Sequence, residues 1–227
     1  MIRIRLTLRD LPLLLLMSFA SAAAWGQEPD RSARVILVSG ATGTQGGAVA
    51  RELVDRGYTV RGLTRNPDSE TSRALTNLGV RMVRGDFDAA ASLDRALEGV
   101  YGAFSVQQYR GVGVNGEIRQ SEAFADAAKR AGVQHFVYTS VAKAPLGTGV
   151  PQFESKAVIE SYIRSLDIPY TIVRPASFMS TVEPFRADAE AGAFSGPLAP
   201  EFERVFVAPS DIVRFVAEAF DDPSSWL

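Results

Sequence analysis

No cysteine occurs anywhere in the 227 residues. That removes disulfides, thiolate nucleophiles and cysteine-ligated metals. Histidine is almost as scarce, His135 being the single one. A histidine metal cluster cannot be assembled from it, and any Ser-His-Asp triad would have to use His135 itself. There is no excess of positive charge. The net charge is −2 and the isoelectric point about 5.6, which argues against direct nucleic-acid binding. The apolar run at residues 11–24 is short of the roughly 20 residues that a membrane-spanning helix needs.

The sequence has the material for one globular domain. Hydrophobic residues make up 46% and charged residues 22%, enough to build a core. The length suits one domain rather than two. Residues 1–26 read separately: Arg3, Arg5 and Arg9 precede the apolar run, and small residues follow at 20–24. This is the three-part layout of a secretory signal peptide. It predicts an exported or periplasmic protein that begins near Gln27, with the domain at 34–227. The alternative is an inert N-terminal extension on a cytoplasmic protein.

From residue 34 onward, short β-branched or aromatic runs alternate with amphipathic ones. Strands are predicted at 34–39, 59–64, 80–84, 102–106, 135–140 and 170–174. Helices are predicted at 45–56, 90–98, 117–131, 153–165 and 211–220, the last capped by Ser210 or Asp211. Gly57 and Ala131-Gly132 mark helix ends. Residues 181–206 read as a loop over one edge. Alternating strands and helices imply parallel pairing through right-handed crossovers. The expected fold class is therefore α/β, a doubly wound parallel sheet of the Rossmann type.

The first strand runs directly into Gly40-Ala41-Thr42-Gly43-Thr44-Gln45-Gly46, and a helix starts there. Glycines at such a turn permit tight backbone angles. They also let backbone approach a pyrophosphate and let the helix pack closely on the sheet. The helix N-terminus adds free N–H groups and a positive dipole end. Placed between a strand and a helix, the loop points to a dinucleotide. The Gly-Lys-Ser/Thr of a nucleoside-triphosphate loop is absent, which argues against ATP or GTP hydrolysis. At the end of the second strand an NAD-selective site carries an acid. Here the residues are Thr64, Arg65 and Asn66, with Arg61 nearby, and a guanidinium suits a 2′-phosphate. Asp86 and Phe87, after the third strand, are placed to accept from the adenine amine and to cover the ring edge; a plain Asp turn explains their spacing equally well. An NADP(H) cofactor sits badly with an export signal, because the nicotinamide pool is cytosolic and no twin arginine is present.

These stretches resemble the NmrA-like branch of the atypical short-chain dehydrogenase/reductases. The resemblance rests on Gly40 to Gly47, Val60 to Pro67 and Gly85 to Asp88. It continues through Leu93 to Val100, His135 to Val141, Phe153 to Lys156 and Thr171 to Pro175, and spans residues 34–220. It implies NADP(H), or else NAD(H), with Thr42, Gly43, Thr44, Gln45 and Gly46 at the pyrophosphate. Arg65 would lie at the 2′-phosphate, Asp86 and Phe87 at the adenine, and Gln107 near the nicotinamide half. It further implies that Ser140 and Lys156 match a catalytic Ser and Lys, with Lys156 also on the nicotinamide ribose. The matching Tyr position is Gln152, which carries no titratable proton. The segment after Ser180 is shorter than the family pattern, so the C-terminal substrate region is expected to be reduced. His135 is expected to be structural. Two functions stay open. One is an NADPH-dependent oxidoreductase of quinone-like or conjugated carbonyl acceptors. The other is a non-catalytic NADP(H) sensor acting through a partner protein.

Overall fold

The computed structural model describes residues 30–144, 147–192 and 205–227. The signal-like segment at 1–26 lies outside the described residues. Within 32–227, β1 (Val35–Val38) leads through α1 (Thr44–Asp55) to β2 (Thr59–Thr64), and α2 (Glu70–Asn77) leads to β3 (Arg81–Arg84). Then follow α3 (Ala90–Leu97), β4 (Gly102–Ser105), α4 (Gly113–Arg130), β5 (His135–Thr139), α5 (Pro151–Ser165) and β6 (Tyr170–Val173). The chain closes with β7 (Ser177–Phe178), a short α6 (Arg186–Glu190), β8 (Phe206–Val207) and α7 (Pro209–Asp221).

The six main strands form one all-parallel sheet in the order β3-β2-β1-β4-β5-β6. The sheet is covered on both faces, which is why its central strands are apolar throughout rather than alternating. One face packs Leu37, Ala103, Phe136 and Tyr138 against Leu93 and Leu97 of α3, Phe124 and Ala128 of α4, and Ile159 and Ile163 of α5. The other packs Ile36, Val38, Phe104 and Val137 against Val49 and Leu53 of α1, Leu75 of α2, and Val216 and Phe220 of α7. Seventeen residues connect β3 to β4, and β4 returns beside β1 rather than β3. The strand order reverses between β1 and β4, and such a switch point opens a crevice at the strands' C-terminal ends.

The predicted strands agree with the structure to within one residue at either end. Four differences have physical reasons. Helix α4 begins at Gly113, four residues before its predicted start. Helix α7 starts on Pro209, which is pre-set for a first helical position, so neither Ser210 nor Asp211 serves as cap and Ala208 occupies that place. Helix α2 was not predicted; Ser69 caps it by accepting from the Ser72 backbone N–H at 3.2 Å. Part of the predicted loop at 181–206 is structured: β8 pairs in parallel with β7, and α6 forms between them. Residues 193–204 of that loop lie outside the described residues.

Candidate functional site

The phosphate loop is shaped by where a side chain will not fit. Gly40 takes a φ of +59°, and a Cβ there would come within 2.8 Å of Val106 Cγ1. A Cβ on Gly46 would strike the Gly40 carbonyl and lie 2.7 Å from the Ser39 carbonyl oxygen. Gly46 therefore lets α1 pack directly on the turn that precedes it. Gly43 differs, because a Cβ there meets only the Gly40 oxygen, at 3.3 Å. The backbone N–H of Gly43 donates to Gly40 O at 2.9 Å and closes the turn. No side chain caps α1. Its first-turn N–H groups have no intrahelical acceptor, and Thr44, Gln45 and Gly46 line the cleft in front of them.

That cleft measures about 950 Å³ and lies across the C-terminal ends of β1 to β4. Its walls bring together Gly40, Thr42, Gly43, Thr44, Gln45, Gly46, Arg65, Asp86, Phe87 and Gln107. Every sequence-predicted cofactor residue except Lys156 is thus on one surface. The Ser39 hydroxyl accepts from Val106 N–H at 2.8 Å, tying β1 to β4 at the switch point. Gln45 is buried and donates from Nε2 to Thr139 Oγ1 at 2.8 Å, anchoring the loop to β5. Asp86 accepts from the backbone N–H of Asp88 at 3.0 Å, an Asx turn that fixes its carboxylate at the wall. Phe87 leans edge-on against Phe124, with ring centroids 5.7 Å apart.

Arg61 does not join Arg65. It points the other way and donates to the carbonyls of Ala96 (3.1 Å) and Glu98 (2.7 Å) at the end of α3. Arg61 lies inside β2, whereas Arg65 lies just past the strand's last residue, Thr64, on the cleft wall. The sequence proximity of the two arginines does not make a shared site.

The second half of the site is buried. Lys156 is 7% exposed and does not line the cleft. Its ammonium donates to the Gln107 carbonyl at 3.1 Å and pairs with Glu117 Oε1 at 3.1 Å. Glu117 Oε2 accepts from Ser155 Oγ at 2.6 Å. Burial pulls the Lys156 amine below its usual range, and the Glu117 carboxylate acts against that pull. Gln107 accepts at Oε1 from Ser105 (3.1 Å) and Ser121 (3.0 Å), while its buried Nε2 has no partner among the described residues. Ser140 also lies off the cleft wall. Its buried Oγ makes no well-formed hydrogen bond among the described residues, although it helps to hold the Glu160 carboxylate ionised. Burial opposes that ionisation, and Arg174 outweighs it with two hydrogen bonds, at 2.8 and 2.5 Å.

Tyr138 does not take the place of the absent catalytic phenol. Burial, then the nearby Glu117 and Glu160, push its hydroxyl far above the ordinary range, so it holds its proton. Gln152 is half-buried, and its carbonyl accepts from Ser155 Oγ at 3.3 Å. His135 is wholly buried and hydrogen-bonded through Nε2 to Thr171 Oγ1 at 2.8 Å, a structural role. Desolvation lowers its pKa to about 4, so it is neutral at pH 7.

Sequence reasoning missed Glu117, which it placed only as a helix residue. A signal was there: Glu117, Ser121, Phe124 and Ala128 recur at helical spacing and share the buried face of α4. It also missed Val112 and Gln120 on the cleft wall, and Thr181 beside Phe178 and Ser180. Among the described residues no group of three or more His, Cys, Asp or Glu is arranged to hold a metal. No helix among them is long and apolar enough to cross a membrane.

Comparison with known proteins places this geometry. A sequence profile described as the NmrA-like family matches residues 32–227. The NmrA-like family domain-containing oxidoreductase FrzB of Cladobotryum sp. is 36% identical over 182 residues, covering 74% of this chain and 53% of FrzB. The chain thus spans about half the length of that relative. Among solved structures, NmrA, a negative transcriptional regulator in complex with NADP, superposes with a TM-score of 0.74 at 25% identity. That match covers 85% of this chain and 64% of NmrA. The NADPH-dependent quinone oxidoreductase QOR2 of Escherichia coli, complexed with NADPH, gives a TM-score of 0.67 at 25% identity, over 82% of this chain and 64% of QOR2.

Proposed function

Since this chain belongs to the NmrA-like family of atypical short-chain dehydrogenase/reductases, we propose that its cleft binds NADP(H) and that it reduces a quinone-like or other conjugated carbonyl acceptor. The observation that carries the reading is the single cleft wall shared by the glycine loop, Arg65, Asp86, Phe87 and Gln107. The N–H groups of Thr44, Gln45 and Gly46 are free to meet a pyrophosphate. Arg65, in place of an acid, favours a 2′-phosphate, which makes NADP(H) the tighter ligand and NAD(H) the weaker. Asp86 and Phe87 take the adenine. The unpartnered Gln107 Nε2 is a buried donor waiting for an acceptor, and it is left for the nicotinamide half.

NADPH supplies a hydride when bound. An acceptor of the quinone type takes its proton from solvent, so Gln152 in place of a tyrosine does not block the reaction. Lys156 and Ser140, both buried and off the cleft wall, then act from behind the wall rather than on it. FrzB is named an oxidoreductase and QOR2 a quinone oxidoreductase, which supports this reading.

A second reading is favoured by one specific arrangement. Ser140 and Lys156 are buried off the cleft wall and Gln152 supplies no proton, as suits a sensor that reports NADP(H) occupancy to a partner protein. The NmrA neighbour is a negative transcriptional regulator. The test is NADPH oxidation by the purified protein across a panel of quinones, with cofactor affinity measured in parallel. Turnover supports the oxidoreductase, and tight binding without turnover supports the sensor. Lys156→Ala separates them further: in an enzyme it lowers kcat beyond its effect on cofactor affinity.

A further inference from the structure

The chain holds only three lysines against twenty-one arginines. Lys129 and Lys143 are exposed, and Lys156 is the buried one. A buried ammonium without a countercharge gives up its proton rather than remain charged. Lys156 has one countercharge at hand. Glu117 reaches it from α4, with Oε1 at 3.1 Å, and Glu117 is itself 1% exposed. The carboxylate is held in turn by Ser155 Oγ at 2.6 Å. The other groups facing the amine do not compete. From β5 comes the ring of Tyr138, centred 5.2 Å away, whose hydroxyl keeps its proton. From the segment after β4 comes the Gln107 carbonyl at 3.1 Å. On α5 itself Glu160 lies one turn further on and is committed to Arg174 and Arg164. An ammonium has three donors, and these contacts leave one N–H of Lys156 to give.

We propose that Glu117 is a positioning residue: it keeps Lys156 protonated and braces it against the Gln107 carbonyl, immediately behind the nucleotide cleft. The consequence for ligand binding rests on the NADP(H) reading above. Glu117 touches no ligand and acts wholly through Lys156 and, one bond further, through the placement of Gln107. The pairing is consistent with the lowered affinity of the Lys156 amine for its proton, which burial alone would lower more.

Two measurements on the full chain test this. In the first, protein labelled with ¹³C at lysine Cε is titrated without ligand. The Lys156 signal is identified by its loss in Lys156→Met. In the native protein Lys156 is expected to titrate below the ordinary lysine range. In Glu117→Gln its titration moves further down. In the second, NADPH affinity is followed from pH 6 to pH 9. The Glu117→Gln variant loses progressively more affinity than native as pH rises, about tenfold by pH 9, because a neutral Lys156 braces the carbonyl of the cleft-lining Gln107 less firmly. A merely structural role for Glu117 would weaken binding equally at every pH.

An unmoved Lys156 titration in folded Glu117→Gln overturns the proposal, as does a pH-independent loss of affinity. Should that variant fail to fold, Glu117→Asp carries the test. Its carboxylate is drawn back by one methylene, so a smaller downward move of the Lys156 signal is expected, and no move overturns the proposal. If NADPH binds the native protein at no pH, the nucleotide reading has failed, and the ligand-free lysine titration still decides the role of Glu117.

Discussion

The two halves of the site are built by opposite means. In the half formed by β1, α1 and β2, the working groups are backbone, and function depends on side chains being absent. Gly40 and Gly46 have no room for a Cβ, α1 has no capping side chain, and the resulting surface is open to solvent. In the half formed by β4, α4 and α5, the working groups are charged or polar side chains taken out of water. Lys156, Glu117, Gln107 and Ser121 are each less than a tenth exposed and hydrogen-bonded or ion-paired to one another. The first half leaves its N–H groups open to water or to a ligand. The second is nearly satisfied already, with Gln107 Nε2 and one lysine N–H left over. A nucleotide-binding surface can therefore survive changes that would disable the chemistry beside it.

The largest expected effect breaks the first half. Gly46→Val drives a branched side chain into the Gly40 carbonyl. It is expected to abolish NADPH binding and to cost at least about 3 kcal/mol of stability, the upper range of overpacking penalties. Gly43→Val, by contrast, opens toward the cleft and should stay folded while binding weakens. Urea unfolding and NADPH titration of the two variants, side by side, check the difference. Equal stability losses would contradict the packing assigned to Gly46.

The next effect is on pH. His135 is neutral in the folded protein, with its pKa lowered by desolvation to about 4 from 6.5. The unfolded chain therefore binds the proton first. The stability His135 contributes is complete above pH 6.5 and is lost as pH falls from 6.5 toward 4, by about 3 kcal/mol in all. His135→Gln keeps a partner for Thr171 and carries no titrating group, so its stability should fall less steeply in that window. Parallel curves for the two proteins between pH 4 and 6.5 would show that His135 is not the titrating group. Glu160 adds a separate loss at lower pH: its pKa is lowered, so its contribution is complete above the ordinary glutamate range and is lost as pH falls below it.

A third prediction sharpens the cofactor choice. Arg65→Ala is expected to cost about 1.5–3 kcal/mol of NADPH binding and to leave NADH almost unchanged, as for a hydrogen bond to a charged group. The smallest effect belongs to its neighbour in sequence. Arg61→Ala should cost about 1 kcal/mol of folding stability, through its bonds to the Ala96 and Glu98 carbonyls, and nothing in NADPH affinity. A fall in NADPH affinity in Arg61→Ala would move the cationic wall of the site.

What could be read in the sequence divides along the same line. The phosphate loop is local: a strand, three glycines and a helix start within twelve residues, so its position and role follow from backbone geometry alone. The placing of Arg65, Asp86 and Phe87 on one wall follows from it, because each stands just past the C-terminal end of a strand in a sheet expected to be parallel and doubly wound. The burial of Lys156 and Ser140 off the cleft wall is not legible in the sequence, since depth depends on helices packing from residues 117 to 160. Glu117 was passed over because a glutamate on an amphipathic helix reads as solvent-facing unless its register with Ser121 and Phe124 is followed. Helix α2 was passed over because only Ser72 and Leu75 of its eight residues are buried, too thin an apolar stripe to register. The β7–β8 pair spans two residues on each side, below what any alternation pattern can show.

The measurement that bears most directly on the central claim is a calorimetric titration of the native protein with NADPH and, separately, NADH. The account predicts one saturable site per chain, tighter for NADPH, and abolished in Gly46→Val. No saturable binding of either dinucleotide, or binding that survives Gly46→Val unchanged, would contradict it.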